Sequence, residues 1–303
     1  MRIKSSREHS GVFYAFLAPA ATVFTLVIVI PFVMGIYYSF TNWTAITGTD
    51  VQWVGLANYA AIFRDVTFLN AFLVTVAFAV MNIVLINLVA FGFALLVTAK
   101  LRLANLYRVG FFMPNLIGGI VLGYIWQFIF NNAVPAFGAA AGIQWLTMNP
   151  LLADRYLALL AIVIVSTWQY AGYIMMIYIA AIQSAPPSLL EAAQIDGANY
   201  LQRLRYVMLP LMAPAFTVSL FLTLVNSFKQ FDVNFALTAG GPSGMFMGLA
   251  IRTNEFLALN IFNTAFAFRE LAQAQAKAVV FFIVLTAIAL IQVRYNKSKE
   301  VEM

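Results

Sequence analysis

Residues 157–170 read LALLAIVIVSTWQY, a stretch that is apolar on successive residues. A transmembrane β-strand would alternate apolar and polar residues over about ten positions, and this stretch does not alternate. It belongs to a longer run, 157–184, that contains no Asp, Glu, Lys or Arg. Because a run of about 20 apolar residues crosses the hydrocarbon core of a bilayer as a helix, the stretch predicts a transmembrane helix.

The composition of the chain predicts more spans of the same kind. Of the 303 residues, 63% are hydrophobic and 9% are charged, and the mean hydropathy is +0.89, far from the makeup of a soluble domain. Apolar runs of sufficient length occur at 12–40, 70–98, 109–131, 157–184, 209–228 and 278–293. The sequence therefore predicts an all-α integral membrane protein with six transmembrane helices.

The first apolar run has some features of a signal peptide. Arg2, Lys4 and Arg7 precede it, and Ala18-Pro19-Ala20 weakly resembles a cleavage site. The run continues well past the roughly 7 to 15 apolar residues of a signal peptide. We therefore expect a helix that stays as an anchor.

The distribution of Lys and Arg predicts the orientation, because these residues accumulate in short cytoplasmic loops. If the N-terminus is cytoplasmic, 11 of the 17 basic residues lie inside: Arg2, Lys4, Arg7, Lys100, Arg102, Arg108, Arg203, Arg205, Arg294, Lys297 and Lys299. We expect a multi-pass protein of the cytoplasmic membrane with both termini in the cytoplasm. This topology also accounts for the net charge of +6, so a nucleic-acid-binding role gains no support.

The same topology predicts three regions along the chain. Residues 1–69 form a cytoplasmic tail, the first helix and an outer loop. Residues 70–293 form a five-helix core that includes a cytoplasmic loop at 184–210. Residues 294–303 form a second cytoplasmic tail.

The residue inventory excludes several kinds of site. The chain has no cysteine, and His9 is its one histidine, which excludes disulfides, thiolate sites and a metal cluster built on histidines. The phosphate-binding pattern Gly-x-x-x-x-Gly-Lys-Ser/Thr is absent. We therefore expect no catalytic residue, no metal and no cofactor in this chain.

The acidic residues all lie outside the predicted spans, so we expect no carboxylate at mid-membrane. Ion-coupled carriers and membrane-embedded metal hydrolases need buried ionisable groups, and both classes lose support. The two halves of the chain also show no inverted repeat, the usual sequence sign of a secondary transporter. Lys229 and Asp232 follow the fifth span. They are interpreted as an ion pair on a helix surface or a snorkelling anchor, with a gate or substrate contact as the alternative.

The segment 184–210 is a charged, helix-forming loop between two spans. Pro186-Pro187 ends the preceding helix, and Ser188 is the expected N-cap, with Glu191 at N3 closing a capping box. The short helix should run to about Tyr200. Small residues near Gly197 offer a surface on which another protein can pack. The alternative is an amphipathic connector that lies on the membrane.

The spacing of this segment resembles a known motif. The segment contains, in order, Glu191-Ala192-Ala193, three residues, Gly197, nine residues, Val207, one residue and Leu209-Pro210. This pattern resembles the EAA loop in the membrane subunits of binding-protein-dependent ABC importers. Val207 stands where isoleucine is usual. Further similarities cover most of the chain: Ala18-Pro19-Ala20, Ser39-Phe40-Thr41, the LTAGGP turn Leu237–Pro242, and Asn263–Ala276, in which Ala272 replaces a common glycine. The chain is thus identified as similar to sugar permeases of the maltose and multiple-sugar type.

The resemblance implies a type I ABC importer permease fold and a set of partners. These are a second homologous permease, a dimer of cytoplasmic ATP-binding subunits, an extracytoplasmic sugar-binding protein, the carbohydrate cargo and membrane lipid. The implied ATPase-coupling residues are Glu191, Ala192, Ala193, Asp196 and Gly197. In this interpretation Glu191 caps the coupling helix and Gly197 permits close approach. The alternatives are a stand-alone secondary carrier or facilitator for a small polar solute, and a membrane-embedded enzyme.

Two polar clusters are candidates for the substrate path, because sugar hydroxyls need donors and acceptors and sugar rings stack on aromatic faces. Thr223, Asn226, Ser227 and Gln230 form one stripe on the fifth helix. Trp168, Gln169, Tyr170 and Tyr173 form the second cluster, on the fourth helix. Sugar permeases are similar at both places. The alternatives are hydrogen bonds between helices for the stripe, and ordinary packing for Trp168 and Tyr170.

Overall fold

The computed structural model describes residues 6–46, 50–99 and 102–297. Arg2, Lys4, Lys100 and Lys299, which contribute to the orientation argument, lie outside the described residues, as does the side chain of Arg7. The described residues form two compact units. One unit contains the chain up to Arg64 together with Ile261–Val280, and the other contains Asp65–Asn260 together with the chain from Phe281.

The first unit contains the first apolar span. Helices α1 (Ser6–Phe24) and α2 (Ile30–Tyr38) are joined by a π-helical turn, Thr25–Val29, and are followed by α3 (Ala57–Ile62). The apolar part, Phe13–Tyr38, has a mean hydropathy of 2.4, and none of its most apolar window is buried. Beyond α2, a hydrogen bond joins two parts of this unit, because the Ala272 N–H donates to the Trp43 carbonyl at 2.9 Å.

The second unit is built on two long helices that start at the same end. They are α4 (Val66–Thr98) and α9 (Arg155–Ser184). Asp65 and Asp154 are their N-caps, and each carboxylate accepts two hydrogen bonds from first-turn amides. Arg155 Nη2 donates to Asn70 Oδ1 at 3.2 Å, which brings the two starts together.

The core of this unit consists of large side chains from both long helices. Phe78, Ile162 and Val165 lie in one buried cluster, and Ile86, Ile174 and Tyr178 lie in another. Burial of each such side chain contributes about 1.5–3 kcal/mol relative to exposure in water. In a bilayer the dominant gain is close packing, because lipid tails are themselves apolar.

The third span differs from the prediction. The chain forms α5 (Ala104–Phe112), a 3₁₀ turn (Met113–Leu116) and then α6 (Gly119–Phe128), a π turn (Ile129–Ala133) and α7 (Val134–Ala140). The apolar helical stretch is therefore Gly119–Ala140, and the predicted span at 109–131 is wrong in its bounds. Pro114 lacks an N–H and Gly118 adopts an extended conformation, so the helix breaks although the residues stay apolar. A short helix, α8 (Gln144–Met148), follows.

The fifth span is bent and broken. After α10 (Pro187–Ile195) come α11 (Tyr200–Arg203), a π turn (Leu204–Met208), α12 (Leu209–Leu211) and α13 (Ala213–Phe228). The helix from Tyr200 to Leu211 meets α13 at a bend of 69°. Within the described residues, five helices are long and apolar enough to cross a membrane, or six if this bent pair counts as one span. The predicted six-helix fold is confirmed at this level.

The segment after α13 contains an element that was not predicted. Helix α14 (Asp232–Thr238) leads through the Leu237–Pro242 turn into a hairpin of β1 (Ser243–Phe246) and β2 (Leu249–Arg252). Met247 and Gly248 both have positive φ, as a two-residue type I′ hairpin turn requires. Helices α15 (Leu257–Phe266) and α16 (Leu271–Lys297) complete the chain.

Each π turn is followed, two residues later, by a proline: Pro31, Pro135 and Pro210. A proline ring clashes with the carbonyl four residues earlier and cannot donate a hydrogen bond. A widened turn moves that carbonyl aside, so the helix continues without a sharp break at the proline.

Candidate functional site

The candidate coupling segment begins at α10, whose start differs from the prediction. Its N-cap is Pro186, without a side-chain hydrogen bond, and Ser188 lies inside the helix. The predicted Ser188–Glu191 capping box is therefore wrong, because Pro187 suits the first helical position and the helix starts before Ser188. A capping box is present at the start of α11 instead, where Asn199 and Gln202 exchange hydrogen bonds of 2.8 and 2.9 Å.

Gly197 ends α10. The Ala198 N–H donates to the Ala193 carbonyl at 2.9 Å and the Gly197 N–H donates to the Gln194 carbonyl at 3.1 Å, which is a Schellman motif. Gly197 has φ +82°, and a methyl group in its place would meet nothing within 4 Å. The helix therefore ends at Ile195 rather than near Tyr200. Within this chain, Gly197 is required for its conformation and not for space.

The other coupling residues lie on an exposed helix surface. Glu191, Ala192 and Asp196 are exposed, and Ala193 is half-buried. Ile195 is 86% exposed. Arg203 Nη1 donates to Gln194 Oε1 at 3.1 Å and holds the next turn against the helix. The segment is thus an ordered projection with an apolar and acidic surface that its own chain leaves uncovered.

The predicted polar stripe on α13 faces α4. Thr223 and Ser227 are buried. Asn87 Nδ2 donates to Thr223 Oγ1 at 3.2 Å, and Asn82 Nδ2 donates to Ser227 Oγ at 2.9 Å. These contacts are hydrogen bonds between helices, the alternative that the sequence left open for the stripe. Asn226, between them in sequence, is half-buried.

A buried tyrosine extends this network to α9. The Tyr178 hydroxyl donates to Asn87 Oδ1 at 2.5 Å and lies 2.7 Å from Ser219 Oγ. The network joins α4, α9 and α13 below the bend. Sequence reasoning missed Asn82, Asn87, Ser219 and Tyr178. The available signal was the presence of neutral polar residues within apolar spans, which the sequence analysis used on the fourth and fifth helices at other positions but not on the second.

The rest of the predicted substrate path lies on both faces of α9. Gln169 is buried, and its Nε2 donates to the Ile117 carbonyl at 3.0 Å. Tyr170 and Tyr173 are half-buried against the second core cluster. Trp168 is 44% exposed and lines an apolar cavity of about 420 Å³ with side chains of α4 and α5. The structure therefore separates Trp168 from Gln169.

Two hydrogen bonds define the level of this region along the spans. Gln230 Nε2 donates to Ser166 Oγ at 3.0 Å, and Gln169 is bonded to Ile117. Ser166 and Gln169 lie near the middle of α9, which has 30 residues and is about 45 Å long. The hydrocarbon core is about 30 Å thick. The end of α13 and the start of α6 therefore both lie beside the middle of α9.

Asp232 follows directly after this level. A methyl group at Gly119 would lie 2.6 Å from Asp232 Cβ, so Asp232 packs on the first residue of α6. The prediction that no carboxylate lies at mid-membrane stays a prediction. Helix α13 ends at Phe228, and the next helix, α14, begins at Asp232.

The predicted ion pair between Lys229 and Asp232 is also not formed. Lys229 is the C-cap of α13 and Asp232 is the first residue of α14, so they do not share a helix surface. Both side chains are exposed, and no ion pair joins them in the described part of the chain. The alternative, contact with a gate or a substrate, stays a prediction.

Comparisons with known proteins agree with this architecture. Residues 87–299 match the family described as binding-protein-dependent transport system inner membrane component. The chain is 45% identical, over 100% of both chains, to the probable starch degradation products transport system permease protein AmyD of Thermoanaerobacterium thermosulfurigenes. It is 31% identical to the multiple sugar-binding transport system permease protein MsmF of Streptococcus mutans, over 89% of this chain and 90% of that one.

Among solved structures, the fold is similar to a chain in the crystal structure of a bacterial ABC transporter involved in the import of the acidic polysaccharide alginate. The TM-score is 0.78, the sequence identity is 18%, and the match covers 96% of both chains.

Proposed function

We propose that the cargo of this protein is a neutral sugar. The chain belongs to the family of inner membrane components of binding-protein-dependent transport systems. It is a permease subunit with the type I ABC importer fold. The observation that supports this proposal most directly is the 45% sequence identity, over the full length of both chains, to a permease named for starch degradation products. Oligosaccharides of α-linked glucose are the corresponding substrate class. The comparisons do not favour the alternative of a stand-alone carrier, and the relatives are permease subunits rather than enzymes.

The family depends on a substrate-binding protein. We further propose that this chain pairs with a second, homologous permease and with a dimer of ATP-binding subunits. In this assembly, α10 docks on an ATP-binding subunit through Glu191, Ala192, Ala193, Asp196 and Gly197. The exposure of Ile195 and the fixed end of the helix at Gly197 support this role, because an ordered apolar projection can enter a groove with little loss of entropy.

The docking proposal requires the cytoplasmic orientation. We propose that the protein resides in the cytoplasmic membrane of a bacterium or archaeon, with both termini and residues 184–210 in the cytoplasm. The division into residues 1–69, 70–293 and 294–303 follows the same topology and stays a prediction.

The structure supports a mechanical link between docking and cargo. The chain continues from α10 through the bend of 69° into α13, which ends at Phe228. When ATP closes the ATP-binding dimer, the two docked helices approach each other. The bent helix then transmits this displacement to the polar side chains at its far end.

Within the proposed path, the named residues have two kinds of role. Tyr170, Tyr173 and Asn226 are half-buried, and we assign the sugar contacts to them. Gln230 is buried and donates to Ser166, and Gln169 supports the turn before α6. The hydroxyl groups of Thr223 and Ser227 form hydrogen bonds with Asn87 and Asn82 of α4. These bonds hold α13 against α4. Trp168 contributes through the separate apolar cavity.

The direct test is transport by the reconstituted assembly. The chain, the second permease, the ATP-binding subunits and the binding protein are placed in proteoliposomes, and uptake of labelled maltotriose is measured with internal ATP. We expect uptake that stops when the phosphate-binding lysine of the ATP-binding subunit is replaced. Uptake by this chain alone, driven by an ion gradient, would contradict the proposal and support a carrier.

A further inference from the structure

The apolar cavity of about 420 Å³ between α4, α5 and α9 is open on one side. Its lining residues are aliphatic, aromatic, glycine or proline, with Thr167 as the exception. Leu85, Ile164 and Trp168 border the cavity and are exposed, so it is a groove on the surface of the chain. The half-buried tyrosines of the proposed sugar path do not line this groove.

The groove runs along the two long helices. Phe111 marks one end, because its ring stacks on that of Phe93, with centroids 4.1 Å apart, and its backbone lies against Gly172. Leu85 and Ile164 precede those positions of α4 and α9 by eight residues each. The two helices start at the same end, so the groove extends about 12 Å parallel to them. Both helices are candidate membrane spans, and an acyl chain of a bilayer runs in the same direction.

A basic side chain lies beyond the Phe111 end of the groove. Arg108 precedes Phe111 by one turn of α5, on the side away from Pro114, which lines the groove. Arg108 is half-buried, and its Nε is buried without a hydrogen-bond partner in the residues that the structure describes. Because a buried donor without an acceptor is unfavourable, Arg108 is suited to an acceptor that does not belong to this chain.

The charge of this region favours an anion as that acceptor. Residues 66–153 contain Lys100, Arg102 and Arg108 but no Asp or Glu, and α9 also contains no acidic residue. The helices that form the groove therefore supply no carboxylate to Arg108. A phosphate group accepts charge-assisted hydrogen bonds from two nitrogens of a guanidinium group. A phospholipid combines such a phosphate with a long apolar chain.

We propose that the groove binds an anionic phospholipid, with one acyl chain between α4, α5 and α9 and the phosphate on the Arg108 guanidinium. Arg102, in the turn before α5, adds positive charge beside the phosphate. The contribution of Trp168 through the cavity is then contact with lipid and not with cargo. The leaflet, which is the cytoplasmic one, rests on the proposed orientation, whereas the binding itself does not.

Two glycines provide a matched pair of variants for the apolar part of the site. Gly110 lines the groove, and Gly92 of α4 does not. A methyl group at either position would meet nothing within 4 Å. Gly110→Leu therefore fills the groove, whereas Gly92→Leu adds the same atoms elsewhere. For the charged part, Arg108→Gln is compared with Arg294→Gln, which removes an exposed arginine from the last turn of α16.

The test uses the full-length protein, purified in a mild detergent and freed of lipid. It is titrated with dioleoyl phosphatidylglycerol or dioleoyl phosphatidylcholine, and bound lipid is counted by native mass spectrometry. We expect the anionic lipid to bind about tenfold more tightly than the zwitterionic one, and Arg108→Gln to remove this difference. Gly110→Leu should weaken binding of both lipids by about tenfold or more. Gly92→Leu and Arg294→Gln should stay within about twofold of the unaltered protein.

A second measurement does not depend on the folding of Gly110→Leu. Phosphatidylglycerol with brominated acyl chains quenches tryptophan fluorescence on contact, and Trp168 lines the groove. We expect Trp168→Phe to lose more of this quenching than Trp145→Phe, whose side chain is exposed outside the groove. Equal loss in the two variants would contradict an acyl chain in the groove.

The remaining outcomes identify other occupants and overturn the inference. Equal affinity for the two lipids, or unchanged binding in Arg108→Gln, excludes the phosphate contact. Weaker binding in Arg108→Gln without any effect of Gly110→Leu indicates a phosphate site without the groove. If Gly110→Leu prevents co-purification of the second permease and leaves lipid binding unchanged, a protein chain covers the groove. Failure of ATP-dependent uptake by the unaltered assembly contradicts the proposed function alone, because the lipid titration does not involve cargo.

Discussion

Two glycine residues, one in α9 and one in α4, differ in how closely other atoms approach the position of a side chain. Gly172 is buried where the backbone of Phe111 crosses α9, and a methyl group there would collide with the Phe111 carbonyl oxygen. Gly92 on α4 has nothing within 4 Å of that position. The same substitution therefore has opposite consequences at the two sites.

We expect Gly172→Ala to destabilise the protein by about 1–3 kcal/mol, because the obstacle is backbone that cannot rotate away. Gly92→Ala is the control and should be neutral or stabilise by about 0.5–1 kcal/mol, since alanine favours helix. Unfolding in mixed micelles titrated with a denaturing detergent measures both. Equal stability of the two variants would contradict the close approach at Gly172.

Gly197 allows conformation and space to be tested separately. Its positive φ is tolerated by asparagine but is strained for valine. If the conformation is what coupling requires, Gly197→Asn should keep most of the binding to the ATP-binding subunits, and Gly197→Val should lose it. Co-purification of the subunits from membranes measures this. If both variants lose binding although both insert normally, close approach to the partner is the requirement instead.

At the scale of elements, the buried polar network is what joins the three central helices. Tyr178 reaches both Asn87 on α4 and Ser219 on α13. In bilayers such hydrogen bonds contribute about 0.6 kcal/mol on average and up to about 1.7 kcal/mol. Their direction also matters, because they define which face of α13 turns toward α4.

We expect Tyr178→Phe to lower the free energy of unfolding by about 1–2 kcal/mol, because it removes two hydrogen bonds and leaves Asn87 Oδ1 without its donor. Tyr156→Phe is the matched control, since the Tyr156 side chain is 72% exposed at the start of α9. The same detergent titration compares them. A change no larger than that of Tyr156→Phe would show that the network contributes nothing measurable.

Helix breaks mark the limit of what the sequence predicts at this scale. Apolar runs identify spans because hydropathy reports how much surface lipid can cover. Hydropathy does not report where the backbone turns, so the break at Pro114–Gly118 is hidden inside an apolar run. Hydropathy also does not report where one helix ends and the next begins, so α14, which starts at Asp232, was not predicted.

At the candidate site, too, local sequence patterns predicted some features and missed contacts between residues far apart in sequence. The EAA spacing identified the candidate coupling segment, because its surface is specified by residues close together in sequence. The partners of Thr223 and Ser227 lie on α4, more than a hundred residues away in sequence, and no local pattern indicates such pairs. Ser188 was chosen as N-cap on side-chain chemistry alone, whereas Pro187 determines where the helix begins.

At the scale of the whole molecule, the absence of cysteine makes the topology directly measurable. Ser188 on α10 and Ser243 on β1 are both exposed, and serine to cysteine is a nearly isosteric change. In right-side-out vesicles, we expect a membrane-impermeant maleimide to label Ser243→Cys at once and Ser188→Cys only after the membrane is permeabilised. Labelling of Ser188→Cys from outside would overturn the orientation and, with it, the docking of α10.

The first span has a consequence for how the protein is made. Its one buried residue, Gly35, packs against Gln275, and the chain just beyond the span is bonded to residues near Ala272. A ribosome reaches those residues after adding about 230 more amino acids, which at about 5–20 residues per second takes many seconds. During that interval the nascent segment sits in the lipid without its intramolecular partner, so its own hydropathy must suffice to keep it there.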